Sequence, residues 1–197
     1  PTRLDDMILP PVAHGVKVIS IGMFLPGNEP VAWRGPMLHN VIKQFLNDVA
    51  WGELDYLIID LPPGTGDVQL SLVQNVPLTG VVIVTTPQEM ALTDARRAMG
   101  MFSMEAVNKR ILGVVENMSY FTPDDAPDKK YRLFGEGGGQ TLSKEYNVPF
   151  LGELPLNPAL MQHIDQGNIT ATSPELAPYY PVASALAQQV SMLQITK

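Results

Sequence analysis

The sequence predicts an α/β fold in which helices cover both faces of a doubly wound, mainly parallel sheet. Apolar, β-rich segments alternate with helix-like patterns along most of the 197 residues, and such alternation is typical of this class. The β-rich segments are near-continuous runs of Val, Ile and Leu, which indicates strands that are covered on both faces. Short connections between them favour the right-handed crossovers of a parallel sheet.

Four segments are predicted to form strands of this sheet. The second of them, YLIID, ends in an aspartate. This places a carboxylate at the carboxyl edge of the sheet, where doubly wound proteins bind their ligands. The four segments are Val16–Gly22, Tyr56–Asp60, Gly80–Thr86 and Ile111–Glu116.

Helices are predicted between these strands and after them. The first helical segment has apolar residues at four-residue steps, so one of its faces is apolar. The second follows Pro87 and carries Ala95, Met99 and Phe102 on one side. The four helical segments are Pro36–Trp51, Glu89–Asn108, Gln140–Tyr146 and Pro181–Leu193.

The length fits one domain, which we assign to residues 1–197, since domains contain roughly 100–200 residues. Two long loops are expected inside it, at 23–36 and 119–133. Both are rich in proline, glycine or polar residues, and strand-like segments resume after each.

The composition excludes several classes of function. A net charge of −7 without a basic cluster argues against a nucleic-acid partner. No apolar run has the length of a membrane span and no signal-like segment opens the chain, so we expect a cytoplasmic protein without a membrane partner. The chain has no cysteine, which excludes disulfides, thiolate nucleophiles and iron–sulfur clusters held by this chain alone.

The segment YLIIDLPPGTGD, residues 56–67, has the chemistry of a phosphate and magnesium site. Asp60 can hold a hydrated metal ion, and the backbone amides of Gly64 and Gly66 can approach an anion closely. An aspartate at the end of a strand, such as Asp60, can also simply cap the next helix. Asp67, just after Gly66, is expected to cap the helix that follows it.

Five motifs together resemble one family. DLPPGTGD, WRGPM (Trp33–Met37), TTPQ (Thr85–Gln88), ENMSYF (Glu116–Phe121) and FGEGGG (Phe134–Gly139) are similar to the Mrp-type ATPases. Those are MinD-like P-loop NTPases with a deviant Walker A motif, and they are thought to carry or transfer iron–sulfur clusters. The resemblance extends from Leu9 to about Val190.

The resemblance implies roles for four residues. Asp60 matches the Walker B carboxylate that holds Mg²⁺ through water, and Gly64 matches the switch II glycine that faces the γ-phosphate. Asn117 matches the asparagine that recognises the adenine edge, although a strand-end asparagine is also a common turn residue. Pro155 lies in the loop that closes over the base. The implied cofactors are ATP and Mg²⁺, and the implied partners are a second copy of the chain and iron–sulfur recipient or assembly proteins.

The chain departs from the family pattern in lacking a P-loop, since nothing in it fits G-x-x-x-x-G-K-[ST]. Its first predicted strand corresponds to one that follows the P-loop strand and helix. We therefore expect the carboxyl-terminal part of a longer protein, which does not hydrolyse ATP alone. The predicted function is an ATP-binding iron–sulfur cluster carrier or assembly factor. The alternatives are a nucleotide-free interaction scaffold and a MinD-like positioning ATPase.

Three further segments bear on these alternatives. After ENMS many family members carry C-x-x-C, whereas this chain has Asp124, Asp125 and Asp128, which suit Mg²⁺ or Ca²⁺, or form a solvated acidic loop. Trp33 and Arg34 either anchor a loop or contact a partner. The tail 173–197 has no basic face, so a packing helix is expected rather than the membrane helix of MinD.

Overall fold

A computed structural model describes residues 1–24, 35–61 and 66–195. Contacts divide the chain into two compact units, Pro1–Val76 and Pro77–Lys197. Within the described ranges, none of the helices combines the length and the apolar character that crossing a bilayer would require.

The first unit contains short strands and two helices. Two antiparallel hairpins come first and are followed by a short 3-10 helix at Ile21–Phe24. The hairpins consist of β1 (Thr2–Leu4) with β2 (Met7–Leu9) and β3 (Val12–Ala13) with β4 (Val16–Lys17). The helices are α1 (Gly35–Asn47) and α2 (Asp67–Asn75).

The predicted strand at Val16–Gly22 is wrong beyond its first two residues. His14 and Gly15 both have positive φ, of 50° and 81°, as a tight two-residue hairpin turn requires. The turn folds β4 back onto β3, so local antiparallel pairing replaces the extended strand.

The prediction of a strand at Tyr56–Asp60 is also wrong, because this segment is irregular. The side chain of Ile58 is 87% exposed. A strand needs a neighbour for its backbone groups, and the described residues form no ladder with this segment. An apolar run alone therefore does not produce a strand here.

Helix α1 confirms the first helical prediction but ends four residues early. Residues 48–50 pair with β2 instead: Ile8 N donates to Asp48 O over 2.7 Å, and Ala50 N donates to Ile8 O over 2.9 Å. Ile8 and Val49 are both buried at this bridge. This contact joins the first hairpin to the segment that follows α1.

The second unit is a three-stranded parallel sheet with helices. The sheet has the order β5–β6–β7, and all its neighbours run parallel, as the predicted fold class requires. The elements in chain order are β5 (Val81–Thr85), α3 (Glu89–Ser103), β6 (Ile111–Tyr120), α4 (Gly138–Glu145), β7 (Phe150–Pro155), α5 (Pro158–Asp165), a 3-10 helix (Pro174–Leu176) and α6 (Tyr179–Ile195). Strand β7 and helix α5 were not predicted.

The core of the second unit lies against this sheet. Helix α3 packs on β5 and buries the predicted Ala95, Met99 and Phe102. Helix α6 packs on β7, where Val182 and Leu186 contact a buried apolar cluster. The tail is therefore a packing helix, as expected.

Candidate functional site

Strand β6 bulges at the carboxyl edge of the sheet. Glu116 pairs with Glu153 of β7, and the next pair is Tyr120 with Pro155. Three residues of β6, at 117–119, thus stand opposite a single residue of β7. Bulges re-aim side chains and are common beside functional sites.

Hydrogen bonds within the bulge define its shape. Ser119 Oγ donates to Glu116 O over 2.8 Å, and both residues are completely buried. Met118 has φ of 52°, which is unusual for a residue other than glycine, and its N–H donates to Asn117 Oδ1 over 2.9 Å. The side-chain amide of Asn117 is therefore oriented by its own bulge.

The carboxylate of Glu116 lies at the amino end of helix α4. Its Oε2 accepts a hydrogen bond from Gly139 N over 2.6 Å. The first turn of a helix has unpaired N–H groups and a partial positive charge, so it stabilises a buried carboxylate. Only a glycine leaves room for this approach, because a Cβ on residue 139 would lie 2.9 Å from Glu116 Cβ.

The loop after β5 packs on the same glycine-rich segment. A Cβ on Gly138 would lie 2.9 Å from Pro87 O and 2.8 Å from Leu92 Cδ1. Pro87 belongs to TTPQ, Glu116 to ENMSYF, and the glycines to FGEGGG. The structure thus brings three of the five family motifs together at one edge of the sheet.

Arg132 joins two acidic side chains beside this edge. Its Nη2 lies 3.2 Å from Glu153 Oε2 and its Nε lies 3.1 Å from Glu136 Oε1. The hydrogen bond with Glu153 raises the pKa of the Arg132 guanidinium, and the charge of Glu116 adds to this effect. Arg132 Nη1 and Glu116 Oε1 are both buried without a hydrogen-bond partner within the described part of the chain.

A cavity of about 340 Å³ opens where β6 and β7 end. Its size falls within the range of small-molecule pockets. Two aromatic rings and three prolines form half of its lining residues, and hydroxyl, amide and carboxylate side chains are also present. The lining residues are Tyr120, Phe121, Thr122, Asp124, Pro155, Leu156, Asn157, Pro158, Ala159 and Pro178.

Two of the four predicted site residues lie on neighbouring strands, and one of them, Pro155, lines the cavity. Asn117 lies in the bulge of β6, and Pro155 ends the neighbouring strand and lines the cavity. Asp60 lies exposed in an irregular segment of the first unit. Gly64 lies outside the described residues, as do Trp33 and Arg34.

The aspartate after Gly66 and the acidic loop at 124–128 can also be compared with their expected roles. The N-cap of α2 is Gly66 and Asp67 is the first helical residue, so Asp67 does not occupy the expected cap position. Asp124, Asp125 and Asp128 are exposed, which agrees with a solvated loop. Among the described residues, no group of three or more His, Asp or Glu side chains could hold a metal ion.

Comparison with known proteins identifies the family. A model of the ParA family, described as NUBPL iron-transfer P-loop NTPase, matches residues 1–191. The chain belongs to this family. The resemblance to Mrp-type ATPases is thereby confirmed.

Relatives of this NUBPL-type NTPase chain carry consistent names. An iron–sulfur cluster carrier protein of Synechocystis sp. is 51% identical over 191 residues, which are 95% of this chain and 54% of the relative. A protein of the same name from Deinococcus radiodurans is 54% identical over 169 residues, which are 84% of this chain and 46% of the relative. The chain thus spans about half the length of these curated relatives.

A solved structure has the same fold. It is described as the nucleotide-binding protein in complex with ADP from Archaeoglobus fulgidus, with cobalt found in it. The TM-score is 0.71 at 36% identity, over 87% of this chain and 66% of that chain. This likeness confirms the α/β P-loop NTPase fold.

The sequence did not predict the hydrogen bond between Glu116 and Gly139. It also did not predict the ion pair between Arg132 and Glu153, the residue that pairs with Glu116 across the sheet. Glu116 and Gly139 were identified only as letters of family motifs. One signal was available: a glutamate at the end of an apolar strand needs a partner when buried, and a run of glycines before a helix offers free N–H groups. Arg132 gave no comparable signal, because it lies in a polar loop.

Proposed function

We propose that this chain is the base-binding and magnesium-binding part of an ATP-dependent iron–sulfur cluster carrier or assembly factor. The observation that carries the proposal is that the bulge with Asn117 is followed directly along β6 by Tyr120, which pairs with Pro155 and lines the cavity. Membership of the NUBPL-type family and the names of the relatives support an iron–sulfur cluster as the cargo.

The cavity beside Pro155 suits a planar heterocycle. Aromatic rings and prolines offer flat apolar surfaces, as base-binding pockets require. Asn117 has Nδ2 as a donor without a partner among the described residues, and a second lone pair remains on its Oδ1. This donor and acceptor pair complements the edge of adenine.

Asp60 is the proposed holder of Mg²⁺. Its carboxylate is exposed and is separated from PPGTG by Leu61 alone, so it can accept a hydrogen bond from a metal-bound water. Bound Mg²⁺ neutralises the charge that develops on the phosphates during hydrolysis. The exposure of Asp60 is compatible with this role.

The chain's own residues do not suit the cluster itself. It has no cysteine, and thiolates are the usual ligands of iron–sulfur clusters. We therefore propose that thiolates outside these 197 residues bind the cargo.

We also propose that the protein acts in the cytoplasm as a homodimer that serves recipient or assembly proteins. The 60% exposure of Val84 on β5, at one end of the described sheet, is compatible with self-association.

Residues 1–197 alone are expected to bind ATP more weakly than micromolar. No segment of the sequence fits a P-loop, whose amides and lysine hold the α- and β-phosphates. We propose that sequence outside this chain supplies that loop. Isothermal calorimetry with MgATP on residues 1–197 and on the full-length protein checks this expectation.

The two proteins separate the alternatives. Tight binding by the full-length protein and weak binding by residues 1–197 is the expected pair of results. Micromolar affinity of residues 1–197 would show that the site is complete without a P-loop. Absence of binding by both proteins would favour the nucleotide-free scaffold.

A further inference from the structure

We propose that Ser119 is a positioning residue that fixes the adenine-recognising amide of Asn117. This inference rests on the proposed function, because it assumes that Asn117 contacts the base. It goes beyond that proposal in assigning a role to a buried residue that is not among those lining the cavity beside Pro155.

The two residues that flank the bulge, Glu116 and Ser119, are hydrogen-bonded to each other. The Ser119 hydroxyl donates to the carbonyl of Glu116 over 2.8 Å, and it thereby closes a loop that contains only Asn117 and Met118. Both residues of this hydrogen bond have no exposed surface. Water therefore cannot replace the hydroxyl, and its loss would leave a buried carbonyl without this donor.

The conformation of Met118 shows why the bulge needs this closure. A methionine at φ of 52° is in an unfavourable backbone region, and such a residue stays there only when its surroundings hold it. Met118 N is also the donor that orients Asn117 Oδ1. Relaxation of Met118 would therefore turn the amide of Asn117 away from its present direction.

The start of the bulge is anchored independently. The Glu116 carboxylate accepts the Gly139 N–H over 2.6 Å, which ties this residue to helix α4. Ser119 thus closes the bulge onto a fixed point. Without the hydroxyl, the segment 117–119 can rearrange while Glu116 stays in place.

The test compares three variants of the full-length protein by their affinity for ATP and for GTP. Asn117→Ala removes the amide and is expected to lower the preference for ATP about tenfold. Ser119→Ala is expected to lower it by a similar factor. Ser143→Ala is the matched control, since its hydroxyl also donates to a carbonyl, that of Val148, at the other end of α4.

The outcomes separate the two proposals. If Asn117→Ala leaves the preference unchanged, the assignment of the base to Asn117 fails. If Asn117→Ala lowers the preference but Ser119→Ala does not, the positioning role fails alone. An equal loss in Ser143→Ala would also overturn that role, because general destabilisation would then explain the effect.

A second variant covers the case in which Ser119→Ala does not fold. Ser119→Cys has nearly the same shape and retains a weak donor, so its preference for ATP is expected to lie between those of the wild type and Asn117→Ala. A wild-type preference in Ser119→Cys, together with faster amide exchange of Met118, whose N–H donates to Asn117 Oδ1, would contradict the inference.

Discussion

Replacing Asp60 with alanine in the full-length protein is expected to reduce the rate of ATP hydrolysis about a hundredfold or more. Without the carboxylate, hydrated Mg²⁺ is no longer held where charge develops on the phosphates. Asp60 is exposed and lies in an irregular segment, so the substitution should leave the free energy of unfolding almost unchanged. Phosphate release at saturating MgATP measures the effect.

Asp55→Ala is the control for this experiment. Asp55 is an exposed aspartate in the same irregular segment, five residues away, and outside DLPPGTGD. It is expected to retain the wild-type rate. Unchanged turnover in Asp60→Ala would remove this carboxylate from the mechanism, and an equal loss in Asp55→Ala would point to the segment as a whole.

Gly139→Ala is expected to destabilise the second unit by about 1–3 kcal/mol. The added methyl group would lie 2.9 Å from Glu116 Cβ and 3.2 Å from Phe150 Cε2, and Glu116 is completely buried in the central strand of the sheet. The contact between Gly139 N and the carboxylate must then lengthen. Native-state hydrogen exchange at Val114 and Val115, both buried in β6, measures the free energy of opening.

Gly100→Ala is the matched substitution with the opposite expected sign. Gly100 lies inside helix α3, and a Cβ there would meet nothing within 4 Å among the described atoms. Alanine in a helix interior is favoured over glycine by about 1 kcal/mol, so this variant should be more stable than the wild type. A stable Gly139→Ala would show that the space beside Glu116 adjusts.

The sequence predicted the second unit better than the first for a physical reason. Strands β5 and β6 and helices α3, α4 and α6 combine apolar periodicity with neighbours that bury their apolar faces. Where the apolar periodicity of the sequence agrees with the packing in the fold, the periodicity is sufficient to predict the element. Strand β7 was missed because its six residues include a glycine, a glutamate and a proline, which weaken the strand signal.

The errors in the first unit come from pairing that periodicity does not encode. VKVISIG and YLIID have strand-like composition, but a strand also needs a neighbour at hydrogen-bonding distance. The His14–Gly15 turn supplies one for Val16 and Lys17 only. Among the described residues, Tyr56–Asp60 has none.

Part of the candidate site followed from family motifs and part did not. Asn117 and Pro155 were identified by resemblance, and the structure places them on neighbouring strands. The bulge that carries Asn117 was not foreseeable, since it depends on a hydroxyl two residues beyond Asn117 and on a glycine 22 residues beyond it. Such contacts between distant positions leave no periodic trace in one sequence.

The most direct test of the carrier hypothesis is anaerobic reconstitution of the full-length protein with iron and sulfide, followed by desalting and visible absorption. The protein is then mixed with a cluster-free acceptor protein, with and without MgATP. We expect a retained cluster chromophore that passes to the acceptor, and we expect MgATP to change the rate of transfer. A protein that binds MgATP but retains no chromophore and loads no acceptor would contradict the account.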